Sequence, residues 1–194
     1  MQAGAERMIQ AMRSLETAFL IGVEGTTEIW LVRHGDCYEG MADGPDPPLS
    51  PTGRRQAEKL AERIKRLEFA AVYCSPSRRT LETAQLIDPT PKTDDRLVEM
   101  TFELGDGGEI VFTESPADVV SRMTAAIDEI AGSHPGGRVI VVGHAGAFVN
   151  YLTDVMRLEP GQLRILPYYT SVSVVRALGD RRMVGALGDT AHLE

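Results

Sequence analysis

The sequence predicts an α/β fold, a three-layer α/β/α sandwich built around a mainly parallel central sheet. From Glu28 onward, short apolar runs alternate with amphipathic segments of helical periodicity. This alternation is typical of strands connected through helices that cover both faces of a parallel sheet. With 194 residues, 43% of them hydrophobic, the chain is long enough to bury a full core in one domain.

Residues 1–25 precede the alternating pattern, and we expect them to form a helical extension of a domain that spans residues 26–194. The extension carries four large apolar residues at spacings of four, three and four, which places them on one helical stripe: Met8, Met12, Leu15 and Phe19. The opposite face carries arginine and glutamate. The stripe is therefore predicted to pack on its own domain or on a second copy of the chain, as a homodimer, and not on a membrane.

The first half of the domain is predicted to contain two strands, 28–33 and 70–74, and two helices. Ser50 and Pro51 are typical of an N-cap and a first-turn proline, so a helix is predicted over 51–66. A second helix is predicted over 77–87. The apolar residues of the first helix form a stripe that we expect to be buried: Ala57, Leu60, Ala61, Ile64 and Leu67.

In the second half, Ser115 and Pro116 begin a third helix by the same rule. Its inward-facing residues are predicted to be Val119, Val120, Met123, Ile127 and Ile130. A strand over 138–143 and a helix over about 146–156 follow. The segments 171–178 and 182–187 are predicted to pair as antiparallel strands that turn at Gly179-Asp180.

The composition excludes several classes of function. The net charge is -8 and the pI about 5.1, which argues against nucleic acid or an anionic membrane as a partner, because both require clustered basic residues. Cys37 and Cys74 are too few for a disulfide scaffold and lack the spacing of a zinc site. No run approaches the apolar length of a membrane span, so a cytoplasmic location is expected. The two thiols are predicted to fill space, with redox sensitivity beside a pocket as the alternative.

Two histidines lie where apolar strands end beside glycine. Arg33-His34-Gly35 follows the first predicted strand, and Gly143-His144-Ala145-Gly146 follows the strand over 138–143. Two histidines at strand ends can share one pocket. A neutral imidazole is a good nucleophile toward phosphorus, and a covalent phosphohistidine divides one difficult displacement into two easier ones.

These segments and four others, in the same order, resemble the motifs of the histidine phosphatase superfamily, the phosphoglycerate mutase-like group. The other four are Pro48–Ala57, Ser75–Ala84, Leu97-Val98-Glu99 and Glu114-Ser115. The resemblance extends over about residues 28–178. Because Arg-His-Gly alone arises by chance in many chains, the ordered set on matching elements is what carries the assignment.

The resemblance implies a metal-independent phosphatase without a cofactor, acting on a small-molecule phosphate monoester. It implies that His34 is the nucleophile. Arg33, Arg79 and His144 would bind the phosphate oxygens, with Gly35 and Ala145 beside the two histidines as further substrate-binding positions. Arg78 remains the alternative to Arg79. His134 and His192 are predicted to be solvated and without a catalytic role.

The leaving alkoxide needs a proton, which a carboxylic acid beside the phosphate can donate. The resemblance implies Glu99 for this role. The glycine that the family has after the aromatic residue is Glu103 here, which leaves Glu103 as an alternative.

Other departures from the family concern the substrate. Residues 36–40 lack the family's threonine or serine and asparagine, so contacts to substrate hydroxyls are expected to differ. Only residues 101–113 separate Glu99 from the third helix, and the glycines 105–108 predict a short, mobile lid over an open pocket. The alternatives to a phosphatase are a phosphoglycerate mutase, which carries a longer insertion there, a phosphohistidine-protein phosphatase and a non-catalytic phosphate-binding scaffold.

Overall fold

The computed structural model describes residues 2–37 and 46–194 of the chain. Within those residues there are five α-helices: α1 (Gln2–Ala18), α2 (Pro51–Ile64), α3 (Arg78–Gln85), α4 (Pro116–Ser133) and α5 (Ala145–Val155). The same residues contain eight strands: β1 (Thr27–Arg33), β2 (Ala71–Cys74), β3 (Lys92–Thr93), β4 (Phe102–Leu104), β5 (Ile110–Phe112), β6 (Arg138–Gly143), β7 (Val172–Leu178) and β8 (Arg181–Asp189).

Six of these strands form one sheet in the order β3-β2-β6-β1-β7-β8. The neighbours from β3 to β1 are parallel, whereas β7 and β8 add an antiparallel edge. Since β1 lies between β6 and β7, it is at the centre of the sheet and buried on both faces. The mainly parallel sheet that the sequence predicts is confirmed.

The helices cover the sheet on both faces, as a three-layer sandwich requires. Ile29 and Leu31 of β1 pack in one buried cluster with residues of α4 and α5, such as Met123 and Tyr151. Val32 points the opposite way, into a cluster with residues of α2 and α3. Successive side chains of a strand alternate between faces, so one apolar strand serves two cores.

The helix starts follow the predicted capping chemistry. The Ser50 hydroxyl accepts a hydrogen bond from the Gly53 N–H at 3.0 Å, and Ser115 accepts one from the Asp118 N–H at 3.2 Å. Each side chain satisfies a backbone donor that the first helical turn leaves unpaired. The predicted burial of Leu67 is wrong: α2 ends at Ile64, and Leu67 lies in the following turn, 40% exposed.

The N-terminal helix does not pack on its own domain. The residues of its apolar stripe are half or more exposed, so that part of the sequence prediction is wrong. The helix is held at its C-terminal end, where Leu20 is buried and the Arg181 guanidinium donates to the Ala18 carbonyl at 2.7 Å. Across residues 2–37 and 46–194, none of the helices combines the length and the apolar character needed to cross a bilayer.

Candidate active site

Two histidines meet at the carboxyl edge of the parallel strands. Strands β1 and β6 are parallel neighbours in a register that pairs Arg33 with Gly143. His34 and His144 are the residues that follow these two strands, and they therefore emerge side by side. Their rings lie 5.3 Å apart between centroids, and both are almost completely buried. The carboxyl edge of such a sheet is the usual place for a ligand site in an open α/β fold.

The environment of His34 leaves one ring nitrogen with a free lone pair. Its Nδ1 lies 2.7 Å from the carbonyl oxygen of Gly35. Because a carbonyl can only accept, Nδ1 carries the proton, and the lone pair is on Nε2. Burial lowers the pKa of His34 to about 3; the hydrogen bond to Gly35 opposes this shift, and the positive charges of Arg79 and Arg33 add to it. The imidazole is therefore neutral near pH 7.

The turn after His34 is tied directly to helix α3. The Gly35 N–H donates to the Thr83 hydroxyl at 3.0 Å, and that hydroxyl donates to the carbonyl of Arg79 at 2.7 Å. A Cβ atom on Gly35 would lie 2.5 Å from the carbonyl oxygen of Gly53, so only glycine fits between the turn and helix α2. Gly35 thus has a steric role, and Thr83 joins His34 to the segment that carries Arg79.

His144 is the N-cap residue of α5, and its ring contacts three polar side chains. Its Nε2 lies 2.9 Å from the hydroxyl of Ser75 and 3.4 Å from that of Ser77, and its Nδ1 lies 3.3 Å from Nη2 of Arg79. A guanidinium only donates, so the proton of the neutral ring is on Nε2. Burial, followed by the proximity of His34 and Arg79, holds the pKa of His144 well below its usual value.

Arg79 and Arg78 point to different surroundings. Arg79 contacts His144 and lies 3.5 Å from the carboxylate of Asp46. The Arg78 side chain is 59% exposed and pairs with Glu82 on the surface of α3. The geometry therefore favours Arg79 as the guanidinium that accompanies the two histidines.

Arg33 packs against an aromatic ring that also neighbours His34. Its guanidinium carbon is 4.0 Å from the centroid of the Tyr169 ring, which is 5.9 Å from the His34 ring. Nη1 donates to the carbonyl of Pro167 at 2.7 Å, whereas the buried Nε has no hydrogen-bond partner among the residues that the structure describes. Nε is thus a donor suited to an oxyanion. Tyr169 lies in no motif that the sequence offered, because its role depends on contact alone.

Glu99 is half-buried beside the first turn of α5. Its carboxylate accepts hydrogen bonds from the N–H groups of Gly146 at 3.1 Å, Ala147 at 2.8 Å and its neighbour Met100 at 2.8 Å. Ala145 is the first residue of that helix, directly after His144. Glu103, the alternative acid, lies exposed on β4. Glu99, and not Glu103, is thus hydrogen-bonded to the first turn of the helix that follows His144.

Residues 101–113 form a hairpin of strands β4 and β5, where the sequence predicted a short, mobile lid. Its turn closes through the Gly105 N–H, which donates to the carbonyl of Glu109 at 2.9 Å, and Gly108 has a positive φ of 82°. Phe102 and Phe112 are paired across the strands and half or more exposed. The departure from the family at residues 36–40 lies partly outside the described residues, which omit 38–45.

Among the described residues, the two cysteines and the other two histidines make no direct hydrogen bond or ring contact with the rings of His34 and His144. Burial raises the pKa of the Cys37 thiol and, to about 11, that of Cys74, which are both unbonded and buried. The prediction of a solvated His192 is wrong: the ring is buried, and its Nε2 is 2.8 Å from the hydroxyl of Thr170. His134 is half-buried against the Tyr73 hydroxyl. In residues 2–37 and 46–194, no cluster of three or more His, Cys, Asp or Glu side chains is arranged for a metal ion.

The site thus contains two buried, neutral histidines and two arginines at the carboxyl edge of an α/β sheet. This arrangement is typical of enzymes that transfer phosphoryl groups through histidine. A family model agrees. Residues 29–110 and 105–190 match the histidine phosphatase superfamily (branch 1), so the chain belongs to that superfamily, as its sequence motifs predict.

Individual relatives show the same relationship. The chain is 30% identical to the phosphoglycerate mutase-like protein 4 of Arabidopsis thaliana, over 86% of this chain and 87% of the relative. It is 28% identical to a metal-independent phosphoserine phosphatase of the same plant, over 95% and 91%. A phosphoserine phosphatase of Entamoeba histolytica, solved with 3-phosphoglyceric acid, superposes with a TM-score of 0.74 at 21% identity, over 87% of this chain and 100% of that one. The predicted phosphoglycerate mutase-like fold is confirmed.

The lowered pKa of His34 predicts a specific loss of stability in acid. Between pH 6.5 and pH 3 the unfolded chain binds a proton that the folded chain excludes, so stability is complete above pH 6.5 and falls as the pH drops through this window. At pH 5 the proton that the folded state excludes from His34 lowers the free energy of unfolding by about 2 kcal/mol. Urea unfolding at pH 7.5 and pH 5.0 checks this: His34→Asn should lose about 2 kcal/mol less than the wild type. Equal losses would contradict the prediction.

Proposed function

We propose that this protein is a metal-independent phosphatase that hydrolyses a small phosphate monoester through a phosphohistidine formed on His34. The observation that carries the proposal is the neutral His34 ring, with its Nε2 lone pair, 5.3 Å from the ring of His144. Family membership supports the same chemistry. We infer that Arg33 and Arg79 bind the phosphate oxygens and that His144 adds a third contact when the phosphate protonates its Nδ1, with Gly35 and Ala145 at the adjoining backbone.

In the first step, Nε2 of His34 attacks phosphorus and the P–O bond to the alcohol breaks. The ring then becomes cationic, and the Gly35 carbonyl stabilises it by continuing to accept the Nδ1 proton. The charge of the phosphoryl oxygens is met by the guanidinium groups of Arg33 and Arg79. Fixed donors aimed at the oxygens that gain charge are what such a transition state requires.

The alkoxide that leaves takes a proton from Glu99. The N–H groups of Gly146 and Ala147 hold the Glu99 side chain at the start of α5, and after the transfer Glu99 is left as a carboxylate. In the second step a water molecule passes a proton to Glu99, attacks the phosphorus and breaks the P–N bond, which regenerates His34 and releases inorganic phosphate.

A phosphate-release assay in excess chelator tests this function. Free phosphoserine and 3-phosphoglycerate are the first substrates to try, because proteins named for or solved with them are similar to this chain, and an aryl phosphate is the general one. We expect turnover in chelator and, after a rapid quench with labelled substrate, a phosphoprotein that is stable in base and labile in acid. No turnover of any monoester would refute the phosphatase and leave a phosphate-binding scaffold.

A phosphoglycerate mutase is the second candidate, because the Arabidopsis thaliana relative is named as mutase-like. A mutase must retain a bisphosphorylated intermediate while this intermediate reverses its orientation in a closed site. The short hairpin of β4 and β5, with both phenylalanines exposed, is a small cover for that purpose. Supplying 3-phosphoglycerate with a bisphosphoglycerate primer and comparing isomer formation with phosphate release separates the two: a mutase would produce mainly the isomer. A phosphohistidine-protein phosphatase would instead prefer a phosphorylated protein to every small ester.

We also propose that residues 1–25 are an extension of a catalytic domain at 26–194 and join two copies of the chain in the cytoplasm. The support is the exposed apolar stripe, which includes Met8 and Met12, on a helix that is held to the domain at its C-terminal end, near Leu20. Sedimentation should give a dimer mass that becomes a monomer mass in Met12→Asp, while Gln10→Asp, on the opposite face, leaves the dimer intact. A monomeric wild type would end the dimer proposal. A chain without residues 1–18 should keep its phosphatase activity.

A further inference from the structure

A network of partly buried hydrogen bonds supports the backbone that carries Glu99, and its centre is Arg122 of helix α4. Nε and Nη2 of Arg122 donate to the two carboxylate oxygens of Glu114 at 2.6 and 2.9 Å. Nη1 donates to the carbonyls of Arg96 and Val98 at 2.7 and 2.8 Å, and Nη2 also donates to the carbonyl of Glu99 at 3.3 Å. The guanidinium thus makes five hydrogen bonds, three of them to the backbone that carries Glu99.

The partner of Arg122 is attached to the same region. Glu114 precedes α4, and its carboxylate also accepts the Thr101 N–H at 3.3 Å, where the hairpin of β4 and β5 begins. The Glu114 and Arg122 side chains are only 16% and 17% exposed, and the hydrogen bonds and charge of Arg122 lower the pKa of Glu114. The ion pair is therefore a fixed support between α4 and residues 96–101.

Glu99 is held from two directions. The Arg122 guanidinium fixes its carbonyl, and the N–H groups of Gly146 and Ala147 orient its carboxylate toward the helix that begins after His144. A carboxyl group delivers a proton efficiently only when it lies within hydrogen-bond reach of the leaving oxygen. Displacements of about 1 Å from a productive geometry can cost roughly 100-fold in rate.

We propose that Arg122 is a positioning residue for proton transfer by Glu99, acting through the backbone carbonyls of residues 96–99 and with Glu114 as its anchor. This inference rests on the proposed function, in which Glu99 protonates the leaving alcohol. Lysine at position 122 keeps the charge but loses the planar fork, so it cannot hold Glu114 and several carbonyls at once.

Leaving groups of different basicity distinguish positioning of the acid from general support of the fold. A nitrophenolate leaves without a proton, whereas the alkoxide of an alkyl phosphate needs one. We expect Arg122→Lys to lower kcat/KM for an alkyl phosphate by about 10- to 100-fold, with little change for 4-nitrophenyl phosphate. The ratio kcat/KM is the right measure, since it reports the steps up to phosphoryl transfer to His34. Equal losses for both esters, or no loss for either, would overturn the proposal.

A double-mutant cycle gives an independent outcome. Glu99→Gln should show the same selective loss, and adding Arg122→Lys to it should cause little further loss, because both changes remove one function. Additive losses would overturn the proposal. Arg96→Gln is the matched control: it removes an arginine side chain of the same segment that is 36% exposed and pairs with Asp94 and Glu129, and it should leave the ratio of the two esters unchanged.

Glu114→Gln is a second test of the proposal, in case the Arg122 variant folds poorly. It retains the size of the side chain and removes the charge, so we expect the same selectivity at a smaller magnitude in a protein whose near-UV circular dichroism is native. The proposed function is tested separately, because an acid-labile phosphoprotein in the wild type does not depend on Arg122. A selective effect absent from a folded Glu114→Gln and from Arg122→Lys would refute the positioning role and leave the phosphatase intact.

Discussion

Replacing His34 with asparagine is expected to lower kcat/KM for any monoester substrate by at least about 10⁴-fold, as the loss of a covalent nucleophile does in other enzymes. The asparagine amide N–H can still donate to the carbonyl of Gly35, so the turn at Gly35 and Thr83 is preserved. What the variant lacks is a lone pair able to bond to phosphorus. Initial rates in chelator and a quench with labelled substrate measure the effect, and the variant should yield no acid-labile phosphoprotein.

His134→Asn is the matched control for this experiment. The His134 ring is half-buried against Tyr73, at the C-terminal end of α4, and has no contact with His34 or His144 among the described residues. Its activity should equal that of the wild type. If His34→Asn retained the phosphoprotein, the nucleophile would be another residue and the proposed mechanism would be wrong.

The pairing of His34 with His144 was predictable because it follows from local sequence and one general rule. Each histidine comes two residues after an apolar run that is too short for a helix, and parallel neighbours bring equivalent ends to one edge of the sheet. The strand register then sets the two rings side by side. Motifs of this kind can be recognised in the sequence because each functional side chain lies next to the end of its strand.

Other contacts were not predictable, because they join segments with no shared periodicity. Tyr169 meets Arg33 from a loop more than 130 residues away, and Thr83 reaches Gly35 from α3, 48 residues further along the chain. The burial of His192 depends in the same way on a hydroxyl, that of Thr170, in a distant turn. Hydrophobic periodicity reports which face of an element is buried but does not report which polar groups meet across that face.

The exposed stripe of α1 shows a further limit of sequence patterns. Apolar spacing correctly predicted a helix with one apolar face, yet the face is not covered by the domain. A hydrophobic stripe indicates that burial of that face is favourable, but it does not indicate which surface covers the face. The same holds for Phe102 and Phe112 on the hairpin, where alternation along two short strands collects apolar side chains on one open face.

Replacing Arg79 with methionine should lower kcat/KM by about 10²- to 10³-fold, the usual cost of losing one donor that stabilises a transition state. Methionine retains the apolar stem and removes the fork. Arg79 is 17% exposed and contacts the Nδ1 of His144, so its charge acts in a largely dehydrated site, where Coulomb interactions are strong. Steady-state rates with an aryl and an alkyl phosphate measure the loss, and both esters should lose equally, because phosphate charge is common to both.

Arg78→Met provides the comparison within the same helix turn. Its guanidinium is 59% exposed and pairs with Glu82, an arrangement in which solvent screens most of the interaction. Its removal should therefore leave kcat/KM close to that of the wild type and change stability by less than about 1 kcal/mol. A larger loss of activity in Arg78→Met than in Arg79→Met would reverse the assignment, because it would mean that α3 turns its other arginine toward the phosphate when a substrate is bound.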